Sequence, residues 1–220
     1  MNDSLINDSI VCLGCSFTYG IGANKNNENW PYYLYKLLDE KYRVINMAHG
    51  GVSLLHSAYT LEYIFKKSLR PKFIFFQVTT PYRLTLRKSP IKEKDFELVE
   101  GNFYMTGIDD IIPNSLGSRN LKWMNKYYRD RDPEEDVLWE TEHKSLLVYT
   151  KHMLEKHNHC LYSQEKEKIY ESFVDFSLRG DAFSENYYSE NVIDNGEHLS
   201  VQALQKQAEY MMTKMKILLS

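Results

Sequence analysis

Three side chains stand where their types could carry out acyl chemistry: a serine, a histidine and an aspartate. Ser16 ends the apolar run Ile10-Val11-Cys12-Leu13-Gly14-Cys15-Ser16, and Phe17-Thr18-Tyr19-Gly20 follow it, so the stretch reads Gly-x-Ser-x-Thr-x-Gly. A serine hydroxyl is a poor nucleophile until a base takes its proton. His198 is the histidine on a loop of the right kind, within Ile193-Asp194-Asn195-Gly196-Glu197-His198-Leu199-Ser200. Such a base needs a partner on its other ring nitrogen to set the tautomer. Asp194 is the first candidate, and Gly196 between the two could absorb an extra residue in a turn. Asn195 is the reserve, because Asn fills that role in some Cys-His-Asn sites. Glu197 is adjacent to His198, so the two side chains are not expected to face one cleft together.

Other chemistries are weaker on the same residues. Cys12-Leu13-Gly14-Cys15 is a Cys-x-x-Cys, but a redox motif of that type opens a helix after a strand, whereas Cys12 reads as an inward residue of the strand itself. His157-Asn158-His159-Cys160 gathers soft ligands, yet a zinc site needs a further ligand that the sequence does not show. The Gly-x-Ser-x-Gly elbow of α/β-hydrolases is excluded, since Thr18 stands at the second glycine. One strand precedes Ser16, where that elbow follows several.

The elements that must position these groups alternate between strand and helix. The run before Ser16 reads as a strand, which would place the serine at the carboxyl edge of a sheet, where open α/β sheets bind ligands. Trp30-Pro31 opens a helix, with proline at a first-turn position, and Tyr33, Leu34, Leu37 and Leu38 give it an apolar stripe. Residues 43–47 read as a short second strand. The turn Ala48-His49-Gly50-Gly51-Val52-Ser53 follows, and Ser53 is suited to cap the next helix. Residues 71–78, Pro-Lys-Phe-Ile-Phe-Phe-Gln-Val, are almost continuously apolar, as expected of a strand covered on both faces. They run into Thr79-Thr80-Pro81. Residues 84–115 read as an irregular insertion, of the length that serves as a lid or binding segment. Helices are expected over 116–128 and 133–157, the second with Val137, Leu138, Leu146, Leu147, Tyr149 and Met153 on its buried face. Residues 159–163 are a fourth strand candidate. Residues 164–190 have no clean period and read as partly helical. An amphipathic helix follows Ser200 over 201–218, lined by Leu204, Ala208, Met211, Met212, Met215 and Leu218.

In three of four places this order resembles the SGNH (GDSL-type) hydrolase superfamily. The family's Gly-Asp-Ser-x-x-x-Gly reads here as Gly14-Cys15-Ser16-Phe17-Thr18-Tyr19-Gly20, with Cys15 at the Asp position. Its second block, Asn-x-Gly-x-x-Gly-x-Ser/Thr, is matched in register by Asn46, Ala48, Gly51 and Ser53. Its third block, Gly-x-Asn-Asp, is absent, and Thr79 and Thr80 take the place. Its last block, Asp-x-x-His before a capped helix, is matched by His198 and the following helix, with Asp194 one residue further away than usual. The resemblance implies Ser16 as nucleophile and an oxyanion hole from the backbone N–H groups of Ser16 and Gly51. A hydroxyl of Thr79 or Thr80 could stand in for the missing Asn. Thr80 is preferred, because Pro81 restricts it to an extended conformation that carries it clear of the sheet edge.

The implied fold is α/β, a three-layer α/β/α flavodoxin-like arrangement with a short, mostly parallel sheet of four or five strands. The 220 residues are expected to form a single domain. The implied activity is hydrolysis of a small acyl ester, such as an O-acetylated carbohydrate or a short-chain lipid ester, with no cofactor and no metal. Acyl transfer to another acceptor would use the same residues. A carbohydrate- or partner-binding module on a decayed scaffold remains open, favoured by Cys15 and the absent Asn. The formal net charge of −3 supplies no electrostatic reason to expect nucleic acid. No signal peptide or membrane span is expected, and the three cysteines do not suggest a disulfide framework, so the expected location is cytoplasmic. Oligomeric state is left open by the sequence.

Overall fold

The computed structural model describes residues 5–20, 28–79, 96–106, 133–166, 168–193 and 198–219. The central strand is β1, Ile10–Leu13, with β2, Val44–Asn46, on one side and β3, Phe73–Val78, on the other. Next to β3 come β6, His159–Ser163, and β7, Phe176–Ser177; next to β2 comes the hairpin of β4, Phe96–Glu100, and β5, Phe103–Thr106. The seven-stranded order is β4-β5-β2-β1-β3-β6-β7, and every neighbouring pair is parallel except β4 with β5. The run β2-β1-β3-β6-β7 is the flavodoxin-like order.

Both faces of this sheet are covered, and alternation along the strands sorts the core. Ile10 and Cys12 of β1 and Phe73 and Phe75 of β3 face one layer. That layer is built from α2, Trp30–Leu37, and α6, Val201–Leu219, through Trp30, Leu34, Leu204, Ala208 and Met211. Val11, Leu13, Ile74, Phe76 and Val78 face the other layer. There α3, Leu54–Lys66, and α4, Pro133–Leu154, supply Leu54, Leu61, Ile64, Leu147 and Leu154. All six residues of β3 are buried, which is why its sequence does not alternate between apolar and polar.

The α/β class and the three layers are as the sequence led one to expect, but the sheet is wider. Seven strands replace the expected four or five. Of the expected irregular insertion at 84–115, the described part, 96–106, is the hairpin β4–β5 that extends the sheet beyond β2. It is held from the other side by Tyr32, whose hydroxyl donates to Glu100, and by Lys36, 2.5 Å from the same carboxylate. Residues 164–190 are partly helical, as expected, and add a strand that was not. They hold β7, a wide turn at Leu178–Ala182 broken at Arg179 and Gly180, and the short helix α5, Glu185–Glu190. The expected helix over 116–128 lies outside the described residues.

Within the helices the buried stripes shift slightly from those read off the sequence. On α4 the buried positions are His143, Leu147, Thr150 and Leu154, and Tyr149 points outward, 45% exposed. On α6 Met211 and Met215 are buried, whereas Leu218 is 50% exposed, beyond the reach of the sheet. No helix among the described residues is long and apolar enough to cross a membrane.

Candidate active site at the carboxyl edge of the sheet

β1 ends at Leu13. Gly14 and Cys15 lead directly into α1, Ser16–Tyr19, so Ser16 stands at the carboxyl edge beside the ends of β2 and β3. Cys15 takes the position before the helix in extended conformation, and Gly20 closes it at φ 97°, its N–H donating to Ser16 O. A helix of four residues has almost no stability of its own. Its placement therefore comes from what it touches. Asn46, at the end of β2, donates from Nδ2 to Thr18 O at 3.0 Å and accepts at Oδ1 from the Ala48 N–H at 3.1 Å. One side chain thus ties α1 to the start of the turn that carries Gly51.

Gly14 is required for space. A Cβ there would lie 2.6 Å from Gln77 Oε1 and 2.7 Å from both Gln77 Cβ and Thr18 Oγ1. Gly14→Ala is expected to lower stability by about 3 kcal/mol through overpacking of a buried junction. That corresponds to a fall in Tm of roughly 6–12 °C for a chain of this size, read by calorimetry. A Tm within a degree of wild type would show that Gln77 and Thr18 move aside freely.

His198 arrives from the other end of the chain. Two short strands, β8, Val192–Ile193, and β9, His198–Leu199, pair antiparallel with Ile193 opposite His198. Leu199 is buried in the core, and Ser200 caps α6 by accepting from the Ala203 N–H at 3.3 Å. Ser200 also donates its hydroxyl to Asn191 Oδ1 at 3.1 Å, which clamps the base of the two strands. These contacts bring the His198 ring to 5.4 Å, centroid to centroid, from Phe17, the residue after Ser16. So the structure sets His198 against the residue that follows Ser16, although His198 and Ser16 are 182 positions apart in sequence. The Ser16 hydroxyl, on a residue only 4% exposed, directs its hydrogen toward Cys15 Sγ at 4.0 Å. That contact is long and weak, and the proton is easily given to a better acceptor. Catalytic hydrogen bonds often tighten only once substrate is bound.

The other expected residues divide in two groups. Gly51 sits in the turn between β2 and α3 at φ 73°, exposed, with nothing within 4 Å of the place a Cβ would take. The left-handed conformation, and not crowding, is what favours glycine there. Ser53 holds the N-cap position of α3. Thr80, Asp194, Asn195 and Glu197 lie outside the described residues. Thr79 is described and is 2% exposed. Its carbonyl accepts from Tyr170 Oη at 3.0 Å, while its hydroxyl has no hydrogen-bond partner among the described residues.

Two features escaped the sequence reading. His49 stacks on Tyr19 of α1, with centroids 6.3 Å apart, and meets His56 of α3 edge-on at 5.4 Å, so a buried imidazole pair backs α1. Its position next to the diglycine was the available signal. The second is Gln77, whose Oε1 accepts from the Cys15 N–H at 3.3 Å and from Thr18 Oγ1 at 2.6 Å. The signal was a lone amide inside Phe-Ile-Phe-Phe-Gln-Val, since a buried polar group in a doubly covered strand must find partners.

The three cysteines are free and buried. Burial pushes the Cys12 thiol well above its ordinary pKa, so it is a poor candidate for thiolate chemistry. Among the described residues no group of three or more His, Cys, Asp or Glu is placed to hold a metal ion.

The order of strands and helices resembles the fold of solved lipolytic G-D-S-L (SGNH-type) proteins. The chain matches TesA with a TM-score of 0.52 and 14% identity, over 96% of this chain and 99% of that one. It matches a member of the lipolytic G-D-S-L family from Veillonella parvula DSM 2008 with a TM-score of 0.52 and 12% identity, over 93% and 96% of the two chains. The lipase Lip_vut3 from a goat rumen metagenome matches with a TM-score of 0.50 and 10% identity, over 93% and 96%. No family model matches the sequence, and no curated protein does. At these identities the likeness establishes the fold.

Proposed function

We propose that the protein is a serine ester hydrolase that acts through an acyl-Ser16 intermediate on a small acyl ester, such as an O-acetylated carbohydrate. The observation that carries this reading is the packing of the His198 ring against Phe17, directly beside Ser16 at the carboxyl edge of the sheet. In the first step Ser16 Oγ attacks the ester carbonyl while His198 takes its proton. His198 then returns that proton to the leaving alcohol as the C–O bond breaks. In the second step His198 activates water, which attacks the acyl carbon and releases the acid and Ser16. Asp194 is assigned the role of orienting His198 by its place in the sequence.

The negative oxygen formed in each step needs preorganised donors. The backbone N–H groups of Ser16 and Gly51 are assigned as two of them, and Thr80 as the third. The partnerless hydroxyl of Thr79 makes it the competitor at the same edge. Thr80→Val is expected to lower kcat and kcat/KM together by roughly 10²-fold, the loss typical of one such donor. Thr79→Val should leave both within a few fold. If Thr79→Val produces the loss and Thr80→Val does not, the donor is Thr79. If neither does, the hole consists of the two backbone donors.

The reading as a whole is tested by treating the wild-type protein with a fluorophosphonate probe and mapping the modified peptide. Labelling confined to Ser16 supports it. A protein inert both to the probe and toward p-nitrophenyl acetate would favour the second reading, a carbohydrate- or partner-binding module on the same scaffold. Cys15 at the family's Asp position favours that second reading. An acceptor alcohol in place of water would use the same residues, and product analysis with such an alcohol present separates transfer from hydrolysis.

A further inference from the structure

Gln77 is 1% exposed and lies one residue from the end of β3, where the strand passes under Gly14. Its Oε1 collects two donors from the segment that carries Ser16: the Cys15 N–H at 3.3 Å and Thr18 Oγ1 at 2.6 Å. A threonine hydroxyl has one proton to give. With that proton committed to Gln77, the 2.8 Å contact between Thr18 and Tyr162 must run from the tyrosine, so Tyr162 Oη donates to Thr18 Oγ1. Tyr162 comes from β6 and is fully buried against Trp30 and Phe176. Donation therefore runs from Tyr162 to Thr18 to Gln77 Oε1, where the Cys15 N–H also arrives, and the contacts link β6 through α1 to β3.

We infer that Gln77 is a positioning residue for Ser16: its carbonyl oxygen sets the orientation of the Cys15 amide and, through Thr18, the rotation of α1. This role rests on Ser16 being the nucleophile, although the anchoring itself does not. The peptide that follows the Cys15 amide presents the Ser16 N–H, so a rotation at Cys15 would move both the hydroxyl and the backbone donor assigned to the oxyanion. Asn46 holds the far end of α1 through Thr18 O, and Gln77 holds the near end. The amide suits this better than an apolar side chain of equal length. Without an acceptor there, the Cys15 N–H would lose its partner and the Thr18–Tyr162 hydroxyl pair would be left with one proton and no acceptor for it, which favours a shift of the segment toward water.

Gln77→Met removes the acceptor while keeping an unbranched chain, and Gln77→Glu keeps an acceptor oxygen. Two readouts are compared. The first is kcat and KM for p-nitrophenyl acetate, with the rate of fluorophosphonate labelling per folded molecule. The second is hydrogen exchange of the peptide amides over residues 12–20. For Gln77→Met, kcat and the labelling rate should fall about 10-fold to 100-fold, as expected of a misplaced catalytic group. KM should stay within about threefold, since the change acts on the nucleophile and not on substrate binding. Exchange over 12–20 should accelerate while β3 and β6 remain protected. Gln77→Glu should recover most of the rate and the protection.

If Gln77→Met is folded and keeps wild-type kcat and wild-type exchange over 12–20, Gln77 only fills the core and the inference is wrong. If Gln77→Met does not fold, Thr18→Val decides, because it removes the hydroxyl relay and leaves the Cys15 contact. Faster exchange over 12–20 supports the anchoring, and unchanged exchange overturns it. A wild type without esterase activity or labelling would defeat the Ser16 reading, while the exchange comparison would still show whether Gln77 holds the segment.

Discussion

Ser16→Ala is expected to reduce turnover of p-nitrophenyl acetate by about 10³-fold or more, to within reach of background, and to abolish fluorophosphonate labelling. The size follows from losing the nucleophile itself: what survives is whatever the oxyanion donors and binding contribute to direct attack by water. The same substitution should leave the fold almost untouched. Among the described residues Ser16 Oγ makes one weak contact, 4.0 Å to Cys15 Sγ, and the backbone bonds of α1 do not involve the side chain. Deleting the hydroxyl should therefore cost under about 1 kcal/mol of stability. The two measurements together separate chemistry from structure. A Ser16→Ala protein that keeps the wild-type rate above background would remove Ser16 from the mechanism. One that loses activity along with its thermal transition would show only that the residue is needed to fold.

The second large effect is expected at His198. His198→Ala should lower kcat by about 10³-fold or more, since the hydroxyl then has no base at hand. A His198→Ala protein that keeps wild-type kcat would sink the assignment. The residue that orients the ring is decided by comparing alanine at Asp194, Asn195 and Glu197. Asp194→Ala should show the largest loss of kcat. Near-wild-type kcat for Asp194→Ala with a loss at Asn195 would move the role to Asn195.

The strand ends and their chemistry-bearing residues were legible in the sequence because they depend on local rules. Apolar runs stopped by Gly14, by the diglycine before Ser53 and by Thr79 mark where strands leave the core, and all three come out at one edge. β6 was read at His159–Ser163 and is found there. The N-cap positions of Ser53 and Ser200 and the amphipathic helices they open follow from short-range signals, although only Ser200 of the two makes a side-chain capping bond; Asn29 caps α2 without having been read from the sequence.

What the sequence could not determine depends on partners far along the chain. β4 and β5 carry strand-forming residues on either side of Gly101-Asn102, a hairpin signal that the sequence reading passed over, but their place in the sheet is set by pairing with β2. β7 is two residues long and exists because β6 offers it an edge. The site divides in the same way. The types and order of Ser16, Gly51 and His198 could be read directly. That His198 packs on Phe17, that His49 and His56 back the same short helix, and that Gln77 anchors it are tertiary facts. A helix as short as α1 cannot place itself, so its orientation is set by the side chains of β2, β3 and β6 that converge on it. Hydrophobic pattern specifies which face of a strand is buried; where a buried amide finds its hydrogen-bond donors is settled only when the strands are side by side.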